Sequence, residues 1–213
     1  MFYFHGTRKP NFPNTNISYD NYWKKVGFKV RCKLLEREEI FIKWIKDGSV
    51  LDLACGNSSL MKTINGEAMD ISPLVIKEQK KLGVNAFVGD FNNPQLKKNY
   101  DYIVLSETLE HSSNPENIIN KIRKHAKYLV ISIPNSAFYR YRLGLLMGRF
   151  PTQWNYHPSE HLRYWSHKDS LDWLKAMKLK LVDCKSSNGF IGKNIWKNLL
   201  GHQICYLIKT DGN

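Results

Sequence analysis

Two aspartates 18 residues apart, Asp52 and Asp70, each sit at the end of a short apolar run. The first run, 49–54, stops at a turn of small residues, Ala54-Cys55-Gly56-Asn57-Ser58, and restarts with helical spacing. Such a junction leaves helix-end N–H groups unpaired and lets the backbone approach a ligand closely. The second run, 66–70, ends on a carboxylate able to accept both hydroxyls of a ribose. Together they have the build of a nucleotide-cofactor site. Histidine suits proton removal near neutral pH, and His111 stands five residues past the end of another apolar run, 101–106, with His157 and His161 further on.

These side chains need a frame, and the chain supplies one by alternation. Strand patterns at 49–54, 66–70, 84–88, 101–106 and 128–133 are separated by helical patterns at 58–64, 73–82 and 115–126. A helix at 168–177 and strands near 179–184 and 203–208 follow. This rhythm predicts an α/β fold: a Rossmann-like, doubly wound, mostly parallel sheet of seven strands. Ser72-Pro73 and Asn114-Pro115-Glu116 read as N-cap and first-turn pairs. Residues 22–45 carry apolar side chains at three- and four-residue steps and form one long helix or two shorter ones.

One domain is expected over 1–213, with an N-terminal arm and helices (1–46), a cofactor-binding core (47–134), a cap inserted after the fifth strand (135–167) and a C-terminal helix with the last strands (168–213). The cap is rich in aromatics and arginines. Tyr139, Arg140, Arg142 and Arg163 belong to a basic, aromatic surface able to grip an anionic substrate, or else the arginines are solvated and the aromatics pack the cap's own core.

The formal charge is +13, divided unevenly: 10 basic and 5 acidic residues over 1–50, 6 and 9 over 51–119, and 16 and 5 over 120–213. A slightly acidic centre between basic flanks favours an acidic small molecule, a nucleic acid or an anionic surface as partner. No apolar run reaches the roughly 20 residues of a membrane span, and the N-terminus lacks the pattern of a secretory signal, so a cytoplasmic protein is expected. The four cysteines are scattered, and neither they nor the histidines show a metal-ligand spacing, so the sequence suggests neither a disulfide framework nor a metal site.

Four motifs in order carry a resemblance: Val50-Leu51-Asp52-Leu53-Ala54-Cys55-Gly56-Asn57, then Ala68-Met69-Asp70, then Val88-Gly89-Asp90-Phe91, then residues 100–111 ending Ser106-Glu107-Thr108-Leu109-Glu110-His111. The chain resembles the class I S-adenosylmethionine-dependent methyltransferases of the type 11-like kind. Ser132-Ile133-Pro134-Asn135, Tyr139-Arg140-Tyr141-Arg142-Leu143, Gly148-Arg149-Phe150-Pro151 and Glu160-His161-Leu162-Arg163 look in particular like the MetW-like branch. The likeness covers about residues 49–184. It departs from the pattern at the usual Gly-x-Gly-x-Gly turn, where only the central glycine, Gly56, is kept.

The resemblance implies S-adenosyl-L-methionine as cofactor, with S-adenosyl-L-homocysteine as product, and a methyl acceptor that is the oxygen or nitrogen of a small, anionic molecule. It implies that Ala54, Cys55 and Gly56 shape the turn beside the methionine moiety and that Asp52 serves its ammonium group directly or through water. Asp70 with Ile71 would hold the ribose, and Asp90 and Phe91 the adenine, although Asp90 reads equally as a turn residue. Ser106 and Glu107 would face the cofactor or the substrate. Among the histidines, His111 is the first candidate for a general base, ahead of His157 and His161. MetW-like proteins are linked to a partner acyltransferase, so the alternatives are a non-catalytic or regulatory module of a metabolic enzyme and, further off, an RNA methyltransferase. A dinucleotide oxidoreductase is disfavoured, because the Gly-x-Gly-x-x-Gly spacing is missing.

Overall fold

Apolar side chains line both faces of the central strands, which is what a sheet covered by helices on both sides demands. In the computed structural model, which describes residues 19–151, 153 and 160–211, β1 (Val50–Leu53) is buried at every position. Its neighbours β2 (Glu67–Asp70), β3 (Asn85–Val88), β4 (Tyr100–Ser106) and β5 (Ala126–Pro134) all run parallel to it. A closing hairpin of β6 (Lys180–Gly189) and β7 (Gly201–Lys209) adds two strands, with β7 antiparallel to both β5 and β6. The order is β3-β2-β1-β4-β5-β7-β6. The expected seven-stranded, mostly parallel sheet is therefore what the chain forms. Strand order reverses between β1 and β4, so a crevice opens past their carboxyl ends, where sheets of this kind bind ligands.

The helices are α1 (Tyr19–Val26), α2 (Glu36–Trp44), α3 (Leu60–Ile64), α4 (Pro73–Lys81), α5 (Pro115–Ile122), α6 (Tyr139–Leu146), α7 (His167–Ala176) and α8 (Lys197–Leu200). The helical pattern over 22–45 resolves into two helices, α1 and α2. Ser72 accepts the Val75 N–H and Asn114 accepts the Asn117 N–H, with Pro73 and Pro115 in the first turns, as the sequence predicts. Asp20 of α1 accepts from both the Ser72 hydroxyl and the Leu74 N–H, which ties the N-terminal arm onto the start of α4.

One core cluster packs Leu51, Leu53, Ile103, Leu105, Ile131 and Ile208 against α5 and α7. The other packs Val50, Ala68, Val104 and Val130 against Phe41, Leu60 and Val75 of the opposite helices. Leu51 and Val50, like Ile103 and Val104, go to opposite clusters, which is the two-residue period of a strand buried on both sides. The hairpin is anchored from the N-terminal side: the Trp44 indole N–H donates to Asp183 at 2.9 Å, and Glu36 accepts the Asn188 N–H.

Differences from the sequence reading are local. The helix expected over 115–126 ends as a 3-10 turn at 123–125, and β5 begins at Ala126. β6 extends to Gly189, well past the expected 184. The cap begins with a helix, α6, whose mixture of Tyr, Arg, Leu and Gly gave no periodic signal.

Candidate active site

The turn after β1 brings the backbone to the ligand side at a conformational cost. Ala54 has φ +143° and Gly56 φ +50°, both in the region that favours glycine. Asp70, at the end of β2, holds this turn: its Oδ2 accepts the Gly56 N–H at 2.9 Å, while its Oδ1 accepts the Ser72 N–H at 2.9 Å. Burial raises the Asp70 carboxyl above the ordinary carboxylate range, and these N–H donors oppose the rise.

Asp52 is 1% exposed, and neither of its oxygens has a partner among the described residues. Burial pushes its carboxyl up to about 8, assisted by the charges of Glu38 and Asp70 and opposed by Arg37 and Arg31. An acid left this way in a protein interior calls for a cation or a proton. Glu38 is settled differently. It is fully buried, yet Arg31 grips it with two N–H donors at 2.6 and 3.0 Å, and the Ser58 hydroxyl and Leu35 N–H complete its shell. Burial raises the Glu38 carboxyl, but these donors outweigh it and hold the group low. Arg31 also donates from its backbone and its Nε to Asn57, so the same side chain braces the turn.

A cavity of about 460 Å³ lies over these residues. At one end it is lined by Ala54, Cys55, Gly56, Asp70, Ile71 and Phe91. At the other it is lined by Ser106, Glu107, Glu110, His111 and His161, with Tyr141 and Gln153 of the cap and Gln203 of β7. Ser106 accepts from Arg37 Nε at 2.9 Å, and Glu107, at φ +54°, accepts from Gln203 at 2.8 Å through one oxygen while the other is buried and unpartnered. His111 Nδ1 lies 2.8 Å from the Glu160 carbonyl oxygen, which makes that nitrogen the donor and leaves the lone pair on Nε2. Burial lowers the His111 imidazolium below its usual value despite that carbonyl; burial and His111 together push His161 down to about 3. Both rings are neutral at neutral pH.

The structure thus gathers ten sequence-predicted residues around one cavity: Ala54, Cys55, Gly56, Asp70, Ile71, Phe91, Ser106, Glu107, His111 and His161. Asp52 lies in β1, behind the lining. Asp90 is outside, exposed, with its Oδ1 accepting the Asn92 N–H at 2.8 Å, the behaviour of a turn residue. The predicted substrate residues Tyr139, Arg140, Arg142 and Arg163 do not line the cavity either. Arg142 donates to the Ala137 and Asn198 carbonyls, Arg163 to the Ser113 carbonyl, and Arg140 to its neighbour Tyr139. Arg142 and Arg163 are held by backbone oxygens, Arg163 also lies 4.0 Å from the Glu116 carboxylate, and Arg140 meets the Tyr139 hydroxyl and ring, which composition alone could not reveal. His157 lies outside the described residues. Sequence reasoning missed Tyr19, Trp23, Arg31, Arg37 and Glu38, which line the cavity from the N-terminal arm; the helical periodicity of that segment pointed only to packing.

A mostly parallel sheet reversing between β1 and β4, with a carboxylate in the last residues of each of β1 and β2 and a cavity over the reversal, is the fold of the class I S-adenosylmethionine-dependent methyltransferases. Solved structures agree with it. A SAM-dependent methyltransferase of Thermotoga maritima superposes with TM-score 0.61 at 12% identity, covering 82% of this chain and 87% of its own. One from Clostridium acetobutylicum gives 0.60 at 17% identity, covering 91% and 97%. A chain from a complex with the Haloferax volcanii Trm112 methyltransferase activator gives 0.59 at 11%, covering 92% and 98%. No curated protein matches the chain in sequence. A family model, "Methionine biosynthesis protein MetW", matches residues 36–208, and the chain belongs to the MetW family.

Proposed function

We propose that this protein binds S-adenosyl-L-methionine in the cavity past β1 and β4 and transfers its methyl group to an oxygen or nitrogen of a small, anionic acceptor. The observation that carries the reading is Asp52: a buried carboxylate with both oxygens unpaired, two residues before a turn that exposes backbone to the cavity. An ammonium group is what it lacks, and the methionine moiety has one. The other residues fit as well. Asp70 lines the cavity beside Ile71 and can accept ribose hydroxyls, and Phe91 offers a ring and backbone to a base. The cofactor supplies an already activated methyl group, so the chain's work is to align and to exclude water.

At the acceptor end, Glu110, His111 and His161 line the cavity together and are the groups that make the acceptor's oxygen or nitrogen lose its proton. Arg37 and the net charge of +13 support an anionic acceptor, since the described cap arginines do not reach the cavity. The assay is methyl transfer from methyl-labelled cofactor to panels of hydroxy acids, amino acids, phosphorylated metabolites and RNA. Turnover of acidic small molecules supports the reading; turnover confined to RNA or to neutral acceptors overturns it.

A second reading has an observation of its own. On the connection between β6 and α8, Ile191 and Ile195 are 87% and 93% exposed, with Phe190 and Trp196 beside them. Apolar side chains presented together mark a surface that another protein covers. A module that binds cofactor and partner without turnover would show S-adenosylmethionine binding and no transfer to any acceptor. No helix among the described residues is long and apolar enough to cross a membrane.

A further inference from the structure

Glu110 has no role in holding the fold that its side chain reveals. It sits on a 3-10 turn, Leu109–His111, after β4, is 1% exposed, and neither carboxylate oxygen has a partner among the described residues. His161, fifty residues on from His111, has a buried Nδ1 that is equally unpartnered. One ligand atom from each of Glu110, His111 and His161 lies within 4.8 Å of the others. The rings of His111 and His161 meet edge to face, 4.7 Å between centroids.

Backbone contacts build this juxtaposition. The Leu162 and Arg163 N–H groups both donate to the Glu110 carbonyl, at 2.7 and 3.2 Å, and the Glu160 carbonyl accepts from His111. Three hydrogen bonds therefore pin segment 160–163 to the turn and hold the two touching histidines beside a buried acid. The Glu160 carbonyl on His111 Nδ1 is also the kind of partner that orients a metal-binding imidazole and fixes its tautomer.

We propose that Glu110, His111 and His161 bind a divalent transition-metal ion, through one carboxylate oxygen and one nitrogen of each ring, with open positions facing the cavity. Two imidazoles and a carboxylate suit Mn²⁺, Fe²⁺, Co²⁺ or Zn²⁺ and leave sites for other ligands. The unpaired oxygen of Glu107 is a further buried acceptor lining the same cavity. Metal binding stands on these residues alone. Its use in catalysis rests on the proposed methyl transfer, and there it names the acceptor more closely: a hydroxyl with a second oxygen donor, held by the ion and made more acidic by it, ahead of an amine.

The full chain, stripped with EDTA and dialysed, is titrated with Mn²⁺, Co²⁺ and Zn²⁺ by calorimetry, and the same samples are then titrated with S-adenosyl-L-homocysteine. The proposal expects one saturable ion per chain, weakened by about a hundredfold or more in Glu110→Gln and in His161→Asn. In the wild type, Mn²⁺ should broaden the imidazole resonances of His111 and His161 before those of His125 and His167. No saturable binding, or broadening that begins at His125 or His167, overturns it whatever the variants do. The S-adenosyl-L-homocysteine titration reads the cofactor site separately, so a failed ion site and a failed cofactor site are told apart.

Discussion

Asp70 Oδ2 accepts the Gly56 N–H at 2.9 Å, so the acid at the end of β2 holds the turn at the end of β1. One carboxylate positions the backbone of the turn and, on the proposed reading, would also offer its oxygens to the ribose. Asp70→Ala should therefore cost both folding and binding: about 1–3 kcal/mol of stability from two N–H groups left without their acceptor, and a loss of S-adenosylmethionine affinity beyond about tenfold. Asp70→Asn keeps one acceptor oxygen and should fall between. Urea unfolding and calorimetric titration of the three proteins check the order.

Ala54 bears φ +143° where the family pattern has glycine. Strain of this kind costs about 1–3 kcal/mol, whereas the freer unfolded chain of a glycine costs about 0.4–1 kcal/mol. Ala54→Gly should raise stability by roughly 1 kcal/mol net, with cofactor affinity unchanged or improved. A lower urea midpoint in the glycine variant would show that the turn is not strained.

The Asp52 carboxyl, at about 8, makes the unliganded protein and its ligand respond oppositely to pH. The folded value lies above the unfolded one, so this group's contribution to stability is present at acid pH and is lost as pH rises from about 4 towards 8, by at most about 1.4 kcal/mol per unit. An ammonium ligand needs the carboxylate. Cofactor affinity should then rise with pH, by up to about tenfold per unit, and level off above about 8, with a proton released on binding below that. Titrations in buffers of different ionisation enthalpy, on wild type and Asp52→Asn, read both the slope and the proton. A flat profile in the wild type would contradict the assignment.

Arg31→Ala should be among the costliest single changes on the N-terminal arm. It strands Glu38, fully buried, and removes the Nε donor to Asn57 while the backbone N–H remains, so about 3–5 kcal/mol is expected. Arg31→Lys should recover only part, because one ammonium cannot reproduce the two-pronged grip. Thermal unfolding in the presence and absence of S-adenosyl-L-homocysteine separates lost fold from lost turn.

What could be read from sequence follows from where the forces are local. The sheet was legible because strands buried on both faces read as unbroken apolar runs, and α4 and α5 because Ser72-Pro73 and Asn114-Pro115 cap within the chain's own next turn. The cofactor end was legible for the same reason, its turn and Asp70 being short contiguous motifs. The acceptor end was not. Glu110 and His161 meet only because backbone hydrogen bonds fold segment 160–163 onto the turn after β4. Arg142 and Arg163 looked like substrate contacts by type, but they donate to the carbonyls of Ala137 and Ser113. Arg31 and Glu38 sit seven residues apart around the entry to α2, and nothing in their spacing pointed to the Ser58 hydroxyl and Asn57 across the turn.

The central claim is that the cavity past β1 and β4 holds S-adenosylmethionine, and calorimetric titration of wild type and Asp70→Ala with S-adenosylmethionine, S-adenosylhomocysteine and NAD tests it most directly. The account predicts saturable binding of both sulfur compounds, markedly weaker in the variant, and none of NAD. Absence of binding by either sulfur compound, or equal binding in wild type and variant, would contradict it.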